Sequence, residues 1–89
     1  MVTVVPSISM FYGIIIYMYP DDHNPPHFHA TYQGNRAVFN LDGELMEGSI
    51  PNKQRQLVVA WAILHRDELE ANWELGQNKQ AMYKIEPLR

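Results

Sequence analysis

From His27 to Leu41 the chain alternates polar and apolar residues in two runs, interrupted by Gly34-Asn35. Phe28, Ala30 and Tyr32 fall on one side of the first run, with His27, His29 and Thr31 on the other. Ala37, Phe39 and Leu41 are the apolar side of the second. Side chains of a strand alternate between faces, and a glycine-containing two-residue break between such runs is a hairpin signal. With Gly34-Asn35 as the turn, Gln33 pairs with Arg36, Ala30 faces Phe39, His29 faces Asn40 and His27 faces Asp42. Asp42-Gly43 marks a second turn, with Glu44–Gly48 returning. One face then carries Phe28, Ala30, Tyr32, Ala37, Phe39 and Met46. The opposite face carries both strand histidines, Asn40 and Glu47.

The flanking stretches complete the architecture. Ile8–Tyr19 is β-branched and aromatic at both parities. That reads as one central strand covered on both sides, or bent by a bulge at Gly13, with Pro6 at the strand start. At twelve residues it falls short of the roughly 20 that a membrane span needs. After Pro51, Asn52 suits a helix N-cap. Leu57, Val58, Trp61 and Leu64 recur at helical spacing, as do Leu69 and Trp73. Asp67, Glu68 and Glu70 favour the start of a second helix. One helix over residues 53–77 would run about 37 Å, so a break is expected near His65-Arg66. Gly76, Asn78 and Lys79 end the helical pattern, and Met82–Ile85 reads as extended, an added edge strand. The expectation is one α+β domain over 1–89. A bent antiparallel meander of four to five strands (8–48) carries two C-terminal helices (about 52–77) on one face and an extended tail (80–89). Trp61 and Trp73 are assigned to the core, and His65 to a capping or core role.

Composition bounds the partners. The 89 residues include no cysteine, which removes disulfides, thiolate metal sites and a cysteine nucleophile and suits a reducing cytoplasm. Net charge is −3, and basic residues could form only a small patch near Lys53, Arg55 and Arg66. Duplex DNA is therefore not expected as a partner, nor is a membrane, whereas RNA stays a candidate target. Exposed hairpin edges and a thin core leave a homodimer as a candidate assembly.

The densest chemistry lies in Asp21–Ala30, where three of the four histidines sit beside two carboxylates and a Pro-Pro pair. His27 and His29 share one face of a strand, and Pro25-Pro26 stiffens the loop that brings His23 back. Three readings follow. His23, His27 and His29, with Asp22, suit a divalent metal such as zinc. The same three histidines are candidate catalytic groups for metal-free proton transfer, with Asp42 opposite His27 setting its tautomer. Alternatively the imidazoles only staple the turn, and Asp21, Asn24, Pro25, Pro26, Asn40 and Asp42 form a substrate or partner surface. If they are only staples, His29→Ala should lower the melting temperature by the loss of a buried hydrogen bond. Glu44 and Glu47 read as charges that protect an edge strand.

The stretches Pro6–Ile16, Asp22–Ala30 and His65–Leu69 through Trp73 together resemble the bacterial domain-of-unknown-function family 4160. Lys84–Leu88 is similar to the tail of one subgroup, so the resemblance covers nearly the whole chain. It implies a small stand-alone bacterial protein encoded beside another small protein. That pair has been proposed as a toxin–antitoxin system with this family on the toxin side, so a small cognate partner protein is expected. His23, Pro25, Pro26, His27 and His29 match the family core, for which no catalytic role is established. The acidic balance departs from that of a ribonuclease toxin.

Overall fold

The computed structural model describes residues 7–89, so Pro6 lies outside the described residues. Strands β1 (Ser7–Phe11), β2 (Ile14–Tyr17), β3 (His27–Tyr32), β4 (Asn35–Asn40) and β5 (Leu45–Gly48) form one antiparallel sheet in sequence order. Helices α1 (Asn52–Leu64) and α2 (Arg66–Gln77) follow. The α+β meander with two C-terminal helices is the architecture that the alternation and helical spacing predict.

Ile8–Tyr19 is not one central strand but a hairpin. Tyr12 and Gly13 have φ of 49° and 77°, the pair of left-handed residues that a type I′ turn requires, and Phe11 pairs with Ile14. Both parities are apolar because two strands each bury their own side: Ile8, Phe11, Ile14 and Ile16 are all core residues. The bulge in this hairpin lies between Ser7 and Ser9, not at Gly13.

The β3–β4 turn is Gln33-Gly34, with φ of 46° and 83°, not Gly34-Asn35. His27 therefore faces Asn40, His29 faces Val38 and Ala30 faces Ala37. The slide moves each partner by two positions, so every residue keeps its face. It also matches side chains by size, placing Phe28 on Phe39 (centroids 5.6 Å apart, planes at 15°) and alanine beside alanine. Asn40 organises the next turn: its Oδ1 accepts from the backbone N–H of Asp42 and of Glu44, both at 2.9 Å. A bulge between Val38 and Phe39 leaves Met46 without a paired residue. Met46 lines the histidine side of the sheet rather than the Phe39 face. Gly48 (φ 74°) ends β5 where a Cβ would stand 2.2 Å from the Arg36 carbonyl oxygen, so only glycine permits that approach.

The helices cover the Phe28–Phe39 face. Val58, Trp61, Ala62, Leu69 and Trp73 are buried with the sheet residues in one core, and Trp61 meets Phe28 edge-on at 5.7 Å. Leu64, expected on this apolar stripe, is 69% exposed because α1 ends there and the chain turns. The break falls at His65, whose φ and ψ of −117° and 26° leave the helical region. His65 Nδ1 contacts Glu68 Oε1 at 2.6 Å, and Asp67 and Glu68 occupy the first turn of α2. Asn52 is the first residue of α1 and not its cap: Pro51 holds the cap position with no side-chain bond, and its carbonyl accepts from Arg55 N–H at 2.9 Å.

The tail is held by side chains rather than by strand pairing. Among the described residues its one backbone bond to the sheet runs from Ile85 N–H to the Ile8 carbonyl at 2.8 Å, and Met82–Ile85 forms no strand. Fully buried Asn72 instead donates to the Tyr83 carbonyl and accepts from its N–H, at 2.8 and 3.1 Å. Trp61 Nε1 donates to the Glu86 carbonyl at 2.8 Å. Among the described residues no helix is long and apolar enough to cross a membrane.

Candidate functional site: one carboxylate among three imidazoles

The β2–β3 loop is fastened at its start to the end of α2. Asp21 N–H donates to the Gly76 carbonyl at 3.1 Å, and Gln77 Nε2 donates to the Asp22 carbonyl at 2.8 Å. Gly76 allows this contact, since a Cβ there would meet Pro20 Cα at 3.3 Å. The loop then folds back through a cis Asn24–Pro25 peptide. The Asp22 carboxylate ends up between three histidines. Its Oδ1 lies 3.0 Å from His23 Nδ1 and accepts the His23 backbone N–H at 2.8 Å. Its Oδ2 lies 2.8 Å from His27 Nε2 and 3.6 Å from His29 Nε2.

His27 and His29 are both on β3, yet their surroundings differ. His27 is 3% exposed. Its Nδ1 is 2.7 Å from the Pro25 carbonyl, which can only accept, so Nδ1 carries a hydrogen. That leaves Nε2 as the ring nitrogen facing Asp22 Oδ2. The ring rests 5.3 Å from Trp73 of α2. His29 stands edge-on to Tyr19 at 4.6 Å, and among the described residues neither buried ring nitrogen has a hydrogen-bond partner. At 3.6 Å its approach to Asp22 is too long for a hydrogen bond.

These environments set the charges. Burial lowers the pKa of His29 below its ordinary 6.5, and the nearby His27 ring lowers it further against the opposing pull of Asp22. For Asp22, burial pushes the pKa up, but the His23 N–H and the His27 ring outweigh it and the net value lies below 3.8. His29 is therefore neutral and Asp22 ionised near pH 7. The linked stability effect has a definite sign. Unfolded His29 takes up a proton that folded His29 refuses, so stability is present above pH 6.5 and falls as pH drops from 6.5 towards the folded value. Urea melts in chelator between pH 7 and 5 should show this loss, at no more than about 1.4 kcal/mol per pH unit from one proton. His29→Phe should flatten it. A second loss, from Asp22, should begin as pH falls below 3.8.

His23, His27 and His29 border one pocket of about 230 Å³, with Val38, Met46 and Glu47 on its other side. Asp22 alone of the candidate carboxylates reaches the imidazoles. Asp42, expected to orient His27, instead pairs with Arg66 at 2.9 Å, because the register slide puts Asn40 opposite His27. Pro25, Pro26, Asn40 and Asp42 line a different depression, against α2. Asp21 and Asn24 are exposed on the loop. The expectation of a buried hydrogen bond at His29 is overturned, since His27 is the ring that staples the loop. Residues that the sequence did not single out for the site are Val38, Met46, Trp73 and Gln77. Only the even alternation of Val38 with His29's partner position signalled any of them.

No curated protein and no solved structure matches the chain. Residues 13–74, which contain the whole histidine loop, match the family model described as Domain of unknown function (DUF4160). That span exceeds half of the 89 residues, and the chain belongs to the DUF4160 family.

Proposed function

We propose that Asp22, His27 and His29 bind a divalent metal ion such as zinc, in a two-histidine, one-carboxylate arrangement open to the pocket beside it. The observation that carries this reading is His29: a neutral imidazole with both nitrogens buried and, among the described residues, unpartnered, next to an ionised carboxylate. An orphaned buried polar group costs about 1–3 kcal/mol, and coordination would use its lone pair. One ligand atom from each of the three residues lies within 4.8 Å of the others. Zinc bonds of about 2.0–2.2 Å place neighbouring ligands of a tetrahedron roughly 3.3 Å apart. The 3.6 Å between Asp22 and His29 is already close to that, and the 2.8 Å between Asp22 and His27 has to widen slightly. The Pro25 carbonyl holds His27 by Nδ1, leaving Nε2 as the donor, an orientation that metal-binding histidines commonly receive from a partner on the other nitrogen. Without thiolates, nitrogen and oxygen donors suit zinc and similar divalent ions.

Zinc titration by calorimetry in buffers of different ionisation enthalpy tests the proposal. One ion per chain is expected, with any proton release read from the dependence on buffer ionisation enthalpy. His29→Phe and Asp22→Asn should each weaken binding about 100-fold or more. Absence of binding at any stoichiometry would sink the reading. The toxin-side role is a separate proposal supported by the family resemblance. Expression of the protein in bacteria should slow growth, and His27→Ala or His29→Phe should relieve that. Equal growth in every case would remove it.

A further inference from the structure

We propose that a second depression receives a lysine or arginine side chain from a basic segment of a partner protein. It lies between the Pro25-Pro26 loop, the β4–β5 turn and α2, encloses about 430 Å³, and shares no lining residue with the histidine pocket. The inference is independent of the metal reading.

The floor is apolar: Pro26, Leu41 and Trp73, the last two 4% and 6% exposed. The rim is acidic, formed by Asp42, Glu70 and Glu74. One cation is present, Arg66, and it is already committed: its Nε donates to Asp42 at 2.9 Å and its Nη1 to Glu70 at 2.7 Å. Glu74 forms no ion pair among the described residues. Three carboxylates against one guanidinium leave the depression with a surplus of negative charge. The field extends along α2, where Asp67, Glu70 and Glu74 line an adjoining hollow.

An apolar floor beneath a negative rim fits one kind of side chain well. Lysine and arginine lay an aliphatic stem on apolar surface while keeping the charged head at the edge. Opposite charge also speeds and orients the encounter. A metal ion fits poorly, because among the described residues only Asp22, His27 and His29 converge closely enough to hold one. A second copy of this chain fits poorly as well, since it brings a net charge of −3 to an acidic groove. A basic segment of another protein is the better match.

The test uses the whole protein and single-residue probes, followed by the Trp73 indole N–H resonance. Terminally blocked arginine and lysine amides at millimolar concentration should shift that resonance saturably. Blocked norleucine amide, which keeps the stem and lacks the charge, should not, nor should blocked glutamate amide. Glu70→Gln with Glu74→Gln should weaken arginine binding about fivefold or more. Glu47→Gln with Glu86→Gln removes the same charge outside the groove and should leave binding unchanged. The proposal fails if arginine produces no saturable shift, if norleucine binds equally, or if both double variants lose binding alike. It also fails if the protein dimerises through this groove, which sedimentation would detect as an association abolished by Glu70→Gln with Glu74→Gln.

Discussion

Trp61→Ala is expected to lower stability by about 3–5 kcal/mol, the range for truncating a large buried aromatic. Small domains are stable by only about 5–15 kcal/mol in total, and thin cores lie near the lower end. Much of the variant should therefore be unfolded at 37 °C. Trp61 is fully buried and lies 5.4 Å from Phe11 and 5.7 Å from Phe28, so its removal opens a void between α1 and two strands. It also removes one of the tail's fastenings, because the indole N–H no longer donates to Glu86. Urea melts followed by circular dichroism give the loss directly. Trp61→Phe keeps most of the volume and drops the hydrogen bond, so it should cost much less. A loss below about 1 kcal/mol for the alanine variant would mean that the core is not organised around this residue.

Substitutions at His27 and His29 should differ in their effect on stability while both strongly weaken zinc binding. His27→Ala removes both ring contacts, to Pro25 and Asp22, and leaves the Pro25 carbonyl and Asp22 Oδ2 without those partners, while Asp22 Oδ1 keeps the His23 N–H. Stranded polar groups cost about 1–3 kcal/mol each, so a loss of roughly 2–4 kcal/mol is expected. His29→Phe removes two buried nitrogens that had no partner and keeps a flat ring against Tyr19. The metal-free variant should be as stable as the wild type or more so, by about 1 kcal/mol. Thermal melts in chelator, paired with zinc titrations, separate the two effects. Equal destabilisation by both substitutions would show that His29 is a structural ring like His27, and the metal site would lose its main support.

That contrast marks where residue order stops being informative. Two histidines spaced by one residue share a strand face, and the alternation around them places them there. What each ring touches depends on how the preceding loop returns. Asp22 and Asp42 were equally eligible partners for His27 from their positions in the chain. Asp22 prevails because Gly76 and Gln77 anchor the loop's start to α2, an interaction that crosses more than fifty positions. The hairpin turns show the same limit at short range. Gln33-Gly34 and Gly34-Asn35 both contain the needed glycine, and both registers keep Phe28, Ala30 and Phe39 on one face. Only packing across the sheet, aromatic on aromatic, distinguishes them. In Ile8–Tyr19 the loss of alternation concealed a turn, since apolar residues at both parities fit one doubly covered strand or two singly covered ones.

Residue order by itself determined the α+β class, the faces of β3 and β4, the helix break at His65 and the placing of the chemistry around His27. Each of these follows from a local period or a local conformational preference. The tertiary structure alone decided that Ile8–Tyr19 is a hairpin, that Asp22 rather than Asp42 meets the imidazoles, and that His29 rather than His27 keeps its nitrogens free. Those outcomes depend on contacts between segments far apart in the chain, whose energies no local pattern encodes.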